Sequence, residues 1–298
     1  FIYNIPLWLI NLWISEFGRD KTEDLCAWFN EQPKLTARIN TILIDIPQCL
    51  TMLNEQGWAV TQDSNYEDII YINSHRGSIE KSEAFIKGYI TFMDKASMLV
   101  ARLVNPQPGE CILDCCAAPG GKSMYMATLM DNVGSLMSCD IHEHKIELMN
   151  SNAERLGASI VHTKVQDATK LPDSWNSYFD RVLVDAPCSG LGILQKKLDM
   201  RWRKQESILS ELPSLQLAIL ERAAMTVKEK GYLIYSTCTL NYKENEEVVE
   251  SFLQKHKEFS IIPVADDFPL KSNSGMITTY PPTDDMDGFF MVKMQRIS

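Results

Sequence analysis

The chain has 298 residues, 45% of them hydrophobic, with a formal net charge of -10. That length and composition describe a globular protein with a substantial core, one large domain or one domain with a smaller partner, and exclude a disordered chain. The acidic balance argues against indiscriminate nucleic-acid binding, which depends on neutralising phosphates with Lys and Arg, although it leaves room for a local basic track.

The opening FIYNIPLWLINLWISEF has no basic flank and is interrupted by Pro6, Asn11 and Glu16. A membrane span needs about 20 mostly apolar residues, so this segment is expected to be an amphipathic helix packed on the core, with no membrane partner. The first residue is Phe1 with no initiating Met, so a fragment or processed chain is expected. Residues 1–85 predict a small α+β module: two helices, a strand at LTARINTI, a helix from Pro47 to Gly57, then short strands. From about residue 108, short β-rich runs alternate with longer helical patterns. Strands are expected at 110–114, 135–140, 159–163, 180–184 and 231–236, with a late antiparallel pair near 258–263 and 288–294. Helices are expected at 121–131, 143–156, 206–229 and 242–256. This alternation predicts an α/β domain over 86–298, with a mainly parallel sheet covered by helices on both faces.

The run ECILDCCAAPGGKS at 110–123 reads as a strand ending in Asp114, a tight turn of small residues, and a helix. In doubly wound sheets, ligands bind outside the carboxyl ends of the strands, and small residues there let the backbone approach closely. A phosphate-binding loop that ends in GKS needs a glycine five residues before Gly121; Cys116 stands there. Asp140 ends the second strand, twenty residues after Gly120, where an acidic residue can accept hydrogen bonds from ribose hydroxyls. Asp167 follows the third strand, within reach of an adenine amino group. Either alone reads as a cap or turn residue. Acidic groups at successive strand ends, with no phosphate cradle, suit a neutral nucleoside carrying a sulfonium.

The fourth strand, FDRVLVDAPCSGLG at 179–192, delivers Asp185, Pro187 and Cys188; the fifth, GYLIYSTCTL at 231–240, delivers Thr237 and Cys238. Each cysteine alone reads as a small buried hydrophobe, but two at adjacent strand ends beside an aspartate predict a reactive pair. A nucleophilic thiol needs its pKa lowered from about 8.5 by a cation or helix end, and Lys122 is the candidate. The eight cysteines suit reduced thiols in the cytoplasm rather than a disulfide framework. Cys111, Cys115 and Cys116 have no histidine nearby, so no metal site is expected.

CAAPGGK, DAPCSG and STCT, in this order, resemble the RNA cytosine-5 methyltransferase family of RsmB, Nop2 and the Sun proteins. The similarity runs from PLWLINLW and NEQPKLTARINT through FIKGYITFMDKASMLV to DGFFMVKM. The resemblance implies a Rossmann-like class I S-adenosylmethionine-dependent methyltransferase domain behind a small RNA-binding module. It implies that Cys116, Ala117, Ala118, Pro119, Gly120, Gly121 and Lys122 line the methionine end of S-adenosylmethionine, with Asp140 on its ribose and Asp167 on its adenine. Asp185 would sit between cofactor and target base. In the family pattern Cys238 is the nucleophile and Cys188 assists product release; DNA cytosine methyltransferases attack with the Pro-Cys cysteine instead. The basic track GILQKKLDMRWRKQ reads as a solvated face on its own, while the resemblance implies phosphate contacts from Lys196, Lys197 and Arg201. Ending just after DGFFMVKMQRIS, the chain looks most like the bacterial 16S rRNA branch, and a helical domain before the module is expected. The partner expected is RNA, 16S rRNA first and tRNA or 23S rRNA as alternatives, with the protein a cytoplasmic monomer. A binding-only ribosome assembly factor is the reading from another class. Leu198 stands where the family commonly has proline, and DCC replaces the more usual Asp-Leu-Cys.

Overall fold

The structure is a computed structural model that describes residues 3–270, 272 and 274–297; Phe1 and Ile2 of the expected opening helix lie outside these. Pro6 opens α1 (Leu7–Phe17), Gly18 at φ 83° ends it, and α2 (Arg19–Trp28) follows. The pair buries Leu9, Trp13, Leu25 and Phe29, with the Trp13 and Phe29 rings stacked at 5.5 Å. Its apolar partners, Leu191, Leu194 and Leu240, come from far along the sequence.

The small module's sheet comprises β1 (Thr36–Ile39), β2 (Ala59–Gln62), β3 (Ile69–Ser74) and β4 (Ile90–Phe92), in the antiparallel order β2-β3-β1-β4. Helix α3 (Ile46–Glu55), capped by Asp45, packs Cys49 and Leu53 against Ala37, Ile39, Ile70 and Ile90 of this sheet. The short α4 (Glu83–Ile86) precedes β4. Since β4 pairs with β1, the sheet continues past residue 85, and we place the division between the two parts after β4. The expected strand over LTARINTI stops at Ile39 because Asn40 turns inward, its Nδ2 donating to Gly88 O and Leu156 O at 2.9 Å each.

The larger part begins with α5 (Lys95–Val104) and continues through β5 (Cys111–Asp114), α6 (Gly121–Leu129), β6 (Ser135–Asp140), α7 (Glu143–Arg155) and β7 (Val161–Val165). Next come β8 (Phe179–Asp185), the one-turn α8 (Met200–Arg203), α9 (Ile208–Ala224), β9 (Val227–Thr237) and α10 (Glu246–Lys255). The chain closes with β10 (Phe259–Ile261), β11 (Met276–Thr278), α11 (Pro281–Asp284) and β12 (Phe290–Arg296). The strand order is β10-β12-β9-β8-β5-β6-β7, with β11 on β12. The five strands from β9 to β7 run parallel, and β12 inserts antiparallel between β9 and β10. This is the expected α/β architecture. Helix α9 ends at Ala224 rather than 229 because Val227 already pairs with Phe179, so the polar VKEK opens a strand that the helical pattern hid.

One face of the sheet is covered by Leu99, Val100, Met124 and Tyr125 of α5 and α6, the other by Leu220, Ala223, Val249 and Phe252 of α9 and α10. The chain winds outward from β5 to β7, then returns to the other side of β5 through β8. The carboxyl ends of β5 and β8 therefore lie at the point where strand order reverses, the usual ligand-binding crevice of such sheets.

Candidate active site

Main-chain hydrogen bonds build the first half of the crevice. Beyond β5, Cys115 N donates to Leu183 O at 2.9 Å and Ala117 N to Cys139 O at 2.7 Å, stitching the turn to both neighbouring strands. Gly120 then takes φ 100°, where a Cβ would come within 3.2 Å of Met149 Cγ and 3.3 Å of Met124 Cε; a side chain there would be strained and crowded. Asp114 is buried. Its Oδ2 accepts from Ser123 Oγ at 2.7 Å, while Oδ1 has no partner among the described residues. Burial pushes this carboxyl up to about 7.

Asp140 accepts from His142 N at 2.9 Å, and Asp167 accepts from Thr169 N at 2.9 Å and Thr169 Oγ1 at 2.7 Å. Those Thr169 bonds hold the Asp167 carboxyl below its ordinary range. Asp140 thus closes the turn after β6 and Asp167 caps a short helical turn, and both also line one cleft of about 410 Å³. Cys116 and Ala118 line it too, as do Asp185 and Cys188 with Cys238. Ala117, Pro119, Gly120 and Gly121 shape the turn without lining the cleft, and Lys122 reaches it through Asp185. An apolar turn and acidic strand ends lining one cleft fit a nucleoside that carries positive charge.

The second half is built on β8 and β9. Asp185 is the ladder neighbour of Ser236, whose Oγ donates to Asp185 Oδ1 at 2.8 Å. Lys122 Nζ donates to Asp185 Oδ2 at 2.7 Å. Burial works to lower the Lys122 pKa, but Asp185 outweighs it and keeps the ammonium charged above its usual range; Cys238 lies close enough to contribute in the same direction. Cys188 Sγ and Cys238 Sγ lie 3.2 Å apart, and Cys238 N donates to Cys188 Sγ at 3.3 Å. The Cys238 contact, together with burial, holds the Cys188 thiol well above its ordinary value. Cys188 is thereby kept as the neutral partner of the pair.

Sequence reasoning missed the group that holds the two cysteine loops together. Glu244 is buried and accepts from Ser189 N at 2.8 Å, from Ser189 Oγ, and from Gln216 Nε2 and Asn241 Nδ2 at 2.9 Å each. Gln216 Nε2 also donates to Pro187 O at 3.0 Å. Asn245 adds a second tie, accepting from Thr237 Oγ1 at 2.6 Å and donating to Thr239 O at 2.9 Å. In sequence, NYKENEE looks like the acidic, solvent-facing start of a helix; only its position directly after a buried strand hinted otherwise.

The basic track divides. Arg201 is only 2% exposed, and its guanidinium donates to Phe29 O, to Asn30 Oδ1 at 3.0 Å and to Leu194 O at 3.3 Å. It is therefore an internal anchor and not a phosphate contact, which corrects the expectation for this residue. Lys196 is held between Asp94 and Asp287, the latter at 2.9 Å. Lys197 is exposed and has no carboxylate partner among the described residues. Among those residues there is also no His, Cys, Asp or Glu cluster able to hold a metal, and no helix long and apolar enough to cross a membrane.

Comparison with known proteins agrees with this architecture. The family model described as 16S rRNA methyltransferase RsmB/F matches residues 101–295, and one described as the RsmF/B-like ferredoxin-like domain matches residues 5–78. The chain is 37% identical over 297 residues to the probable ribosomal RNA small subunit methyltransferase B of Bacillus subtilis (strain 168), covering 98% of this chain and 66% of that protein. It spans about two thirds of the length of the curated relatives it matches. It superposes on the crystal structure of PH0851 with a TM-score of 0.92 at 32% identity, covering 98% of this chain and 66% of the other. NSun6 from Pyrococcus horikoshii, solved with SFG, shares the fold at a TM-score of 0.90 and 21% identity, with full coverage of both chains. Matched along most of its length by one family model and along nearly all of it by a relative with more than a third of its residues the same, the chain belongs to the RsmB/F family of 16S rRNA methyltransferases.

Proposed function

We propose that the protein transfers a methyl group from S-adenosylmethionine to carbon 5 of a cytosine in RNA, through a covalent bond between that base and Cys238, with 16S rRNA as substrate. The observation that carries this reading is the pair of thiols 3.2 Å apart at the ends of adjacent strands, beside the Lys122–Asp185 ion pair. The cofactor supplies an electrophilic methyl on a sulfonium. Asp140 would accept from its ribose hydroxyls and Asp167 from its adenine, with Cys116 and Ala118 as the apolar wall; the acidic lining matches its positive charge.

Carbon 5 of cytosine is too weak a nucleophile to take the methyl unaided. Cys238, as thiolate beside Lys122, adds to carbon 6; the sulfur–carbon bond forms and the ring electrons shift to carbon 5. Asp185, hydrogen-bonded by Lys122 and Ser236, has lone pairs left to accept from the exocyclic amino group, which distinguishes cytosine from uracil. Once carbon 5 carries the methyl, its proton leaves to solvent, the electron pair of that bond re-forms the carbon 5–carbon 6 double bond, and the Cys238–carbon 6 bond breaks with its pair returning to the sulfur. Cys188, held neutral against Cys238, serves that release.

The test uses labelled S-adenosylmethionine with unmodified 16S rRNA, 23S rRNA and tRNA, followed by bisulfite mapping. Label at a cytosine of 16S rRNA is expected, and label on tRNA or 23S rRNA would move the substrate. In parallel, Cys188→Ala should accumulate protein covalently attached to RNA on a denaturing gel, whereas Cys238→Ala should give neither adduct nor methylation while binding cofactor normally. Full activity in Cys238→Ala would overturn the covalent mechanism.

A further inference from the structure

We propose that α8 is a stacking platform for a base of single-stranded RNA adjoining the target nucleotide, with Trp202 as the stacked surface and Lys197 and Lys204 contacting the neighbouring phosphates. The proposal rests on the RNA reading above and names the part of the protein that grips the flank of the target.

Trp202 is 55% exposed, and it is the only exposed residue among the six tryptophans. An indole left in water forgoes the burial that normally holds such a side chain inside. Looseness does not account for this exposure, because the preceding residue pins the helix. Arg201 spends its guanidinium on Phe29 O, Asn30 Oδ1 and Leu194 O, and Gln195 Nε2 adds a bond to Trp28 O at 3.0 Å. The residue before that, Met200, lines the cleft that holds Cys188 and Cys238. Three successive residues thus face the cleft, the protein interior and solvent, and the outward one is a rigidly presented aromatic at the rim.

The charge around it selects the partner. In a chain of net charge -10 this rim is locally basic. Arg203 is paired with Asp199 at 3.3 Å, while Lys197 and Lys204 have no carboxylate partner among the described residues. The broad groove over the small sheet, about 950 Å³ in volume, offers no such charge: its Lys95 is bound to Asp63 and its Lys34 to Asp285. A base that enters the cleft must leave its stack, which bares the face of its neighbour. An aromatic side chain at the mouth restores that stacking without reading sequence, and free lysines beside it hold the backbone.

The experiment compares the full chain with Trp202→Ala and Trp202→Phe, measuring KM and kcat for methylation of unmodified 16S rRNA and the quenching of indole fluorescence by a cytidine-containing 12-mer oligoribonucleotide. Trp202→Ala should raise KM about tenfold, with kcat and cofactor affinity within about twofold and an unchanged salt slope; Trp202→Phe should recover most of the loss, since a second aromatic still stacks. Part of the quenching should disappear in both variants. Lys197→Glu should instead flatten the salt dependence by roughly one unit of slope. An unchanged KM in Trp202→Ala overturns the proposal, as does failure of phenylalanine to rescue. Loss of a concentration-dependent self-association in Trp202→Ala would overturn it in favour of a second copy of the chain. If the wild type neither binds nor methylates RNA, the functional reading falls as well, whereas a normal wild type beside a normal Trp202→Ala sinks the platform alone.

Discussion

The two halves of the cleft are held in different ways. Around Cys116 and Ala118, position is set by main-chain bonds from the turn to β6 and β8, and the side chains do little beyond staying small. Around Cys188 and Cys238, the loops after β8 and β9 are tied chiefly by side chains, with Glu244 as the shared acceptor and Gln216, Asn241 and Asn245 around it. A backbone-held site depends on conformation and tolerates side-chain change wherever space remains. A side-chain-held site fails when its central group is lost, because several buried donors lose their acceptor together.

The contrast is broken most severely at Glu244. Glu244→Ala should slow single-turnover methyl transfer on the order of 100-fold, since displacing reactive groups by an ångström costs about that much. Melting should show a stability loss of roughly 3 kcal/mol from the orphaned donors. Cofactor affinity measured by titration calorimetry should stay within about twofold. A parallel fall in cofactor affinity would mean that the halves are mechanically one.

Asp140→Asn probes the other side with a smaller effect. The oxygen that accepts from His142 N is retained, but the charge that the proposed ribose contact would use is lost. Cofactor should bind about tenfold more weakly, the scale of one charge-assisted hydrogen bond. Adduct formation in a Cys188→Ala background should be unchanged once cofactor saturates. Reduced adduct at saturation would show that Asp140 also serves the thiols.

A third effect is one of pH, at the buried Asp114 that ends β5. Its folded pKa of about 7 lies above the ordinary carboxylate value of 3.8. Between those values the folded state holds a proton that the unfolded chain has released. The stabilisation is therefore full below about pH 4 and is lost as pH rises through 7. Asp114→Asn removes this dependence. The melting temperature of the wild type relative to the variant should fall by at least about 2 °C across that window, and parallel curves would show that Asp114 is ionised throughout.

Of the cleft, the contiguous parts were legible. CAAPGGK announces a tight turn because small residues and Gly120 are a local requirement, and Asp140 and Asp167 could be placed by counting strand ends. The two cysteines could be brought to one edge because parallel strands deliver their carboxyl ends together. Arg201 was misread because charge on a polar stretch suggests solvent; whether a guanidinium finds carbonyl-type oxygens inside the fold depends partly on Phe29 and Asn30 just after α2, more than 170 residues away. Glu244 was unreadable for the same reason, as its donors come from three separate segments.

The sequence alone determined the alternation of strands and helices, the acidic strand ends, the glycine-bearing turn and the two thiols, because each follows from local periodicity, backbone conformation or strand direction. Only the tertiary structure decided that α1 and α2 pack against the loops carrying the site, that β12 inserts beside β9, and that Lys122 faces Asp185. It alone also showed Glu244 as a clamp, Arg201 as an anchor and Trp202 in solvent. Those outcomes turn on which buried polar groups find partners, and that is fixed only when distant segments meet.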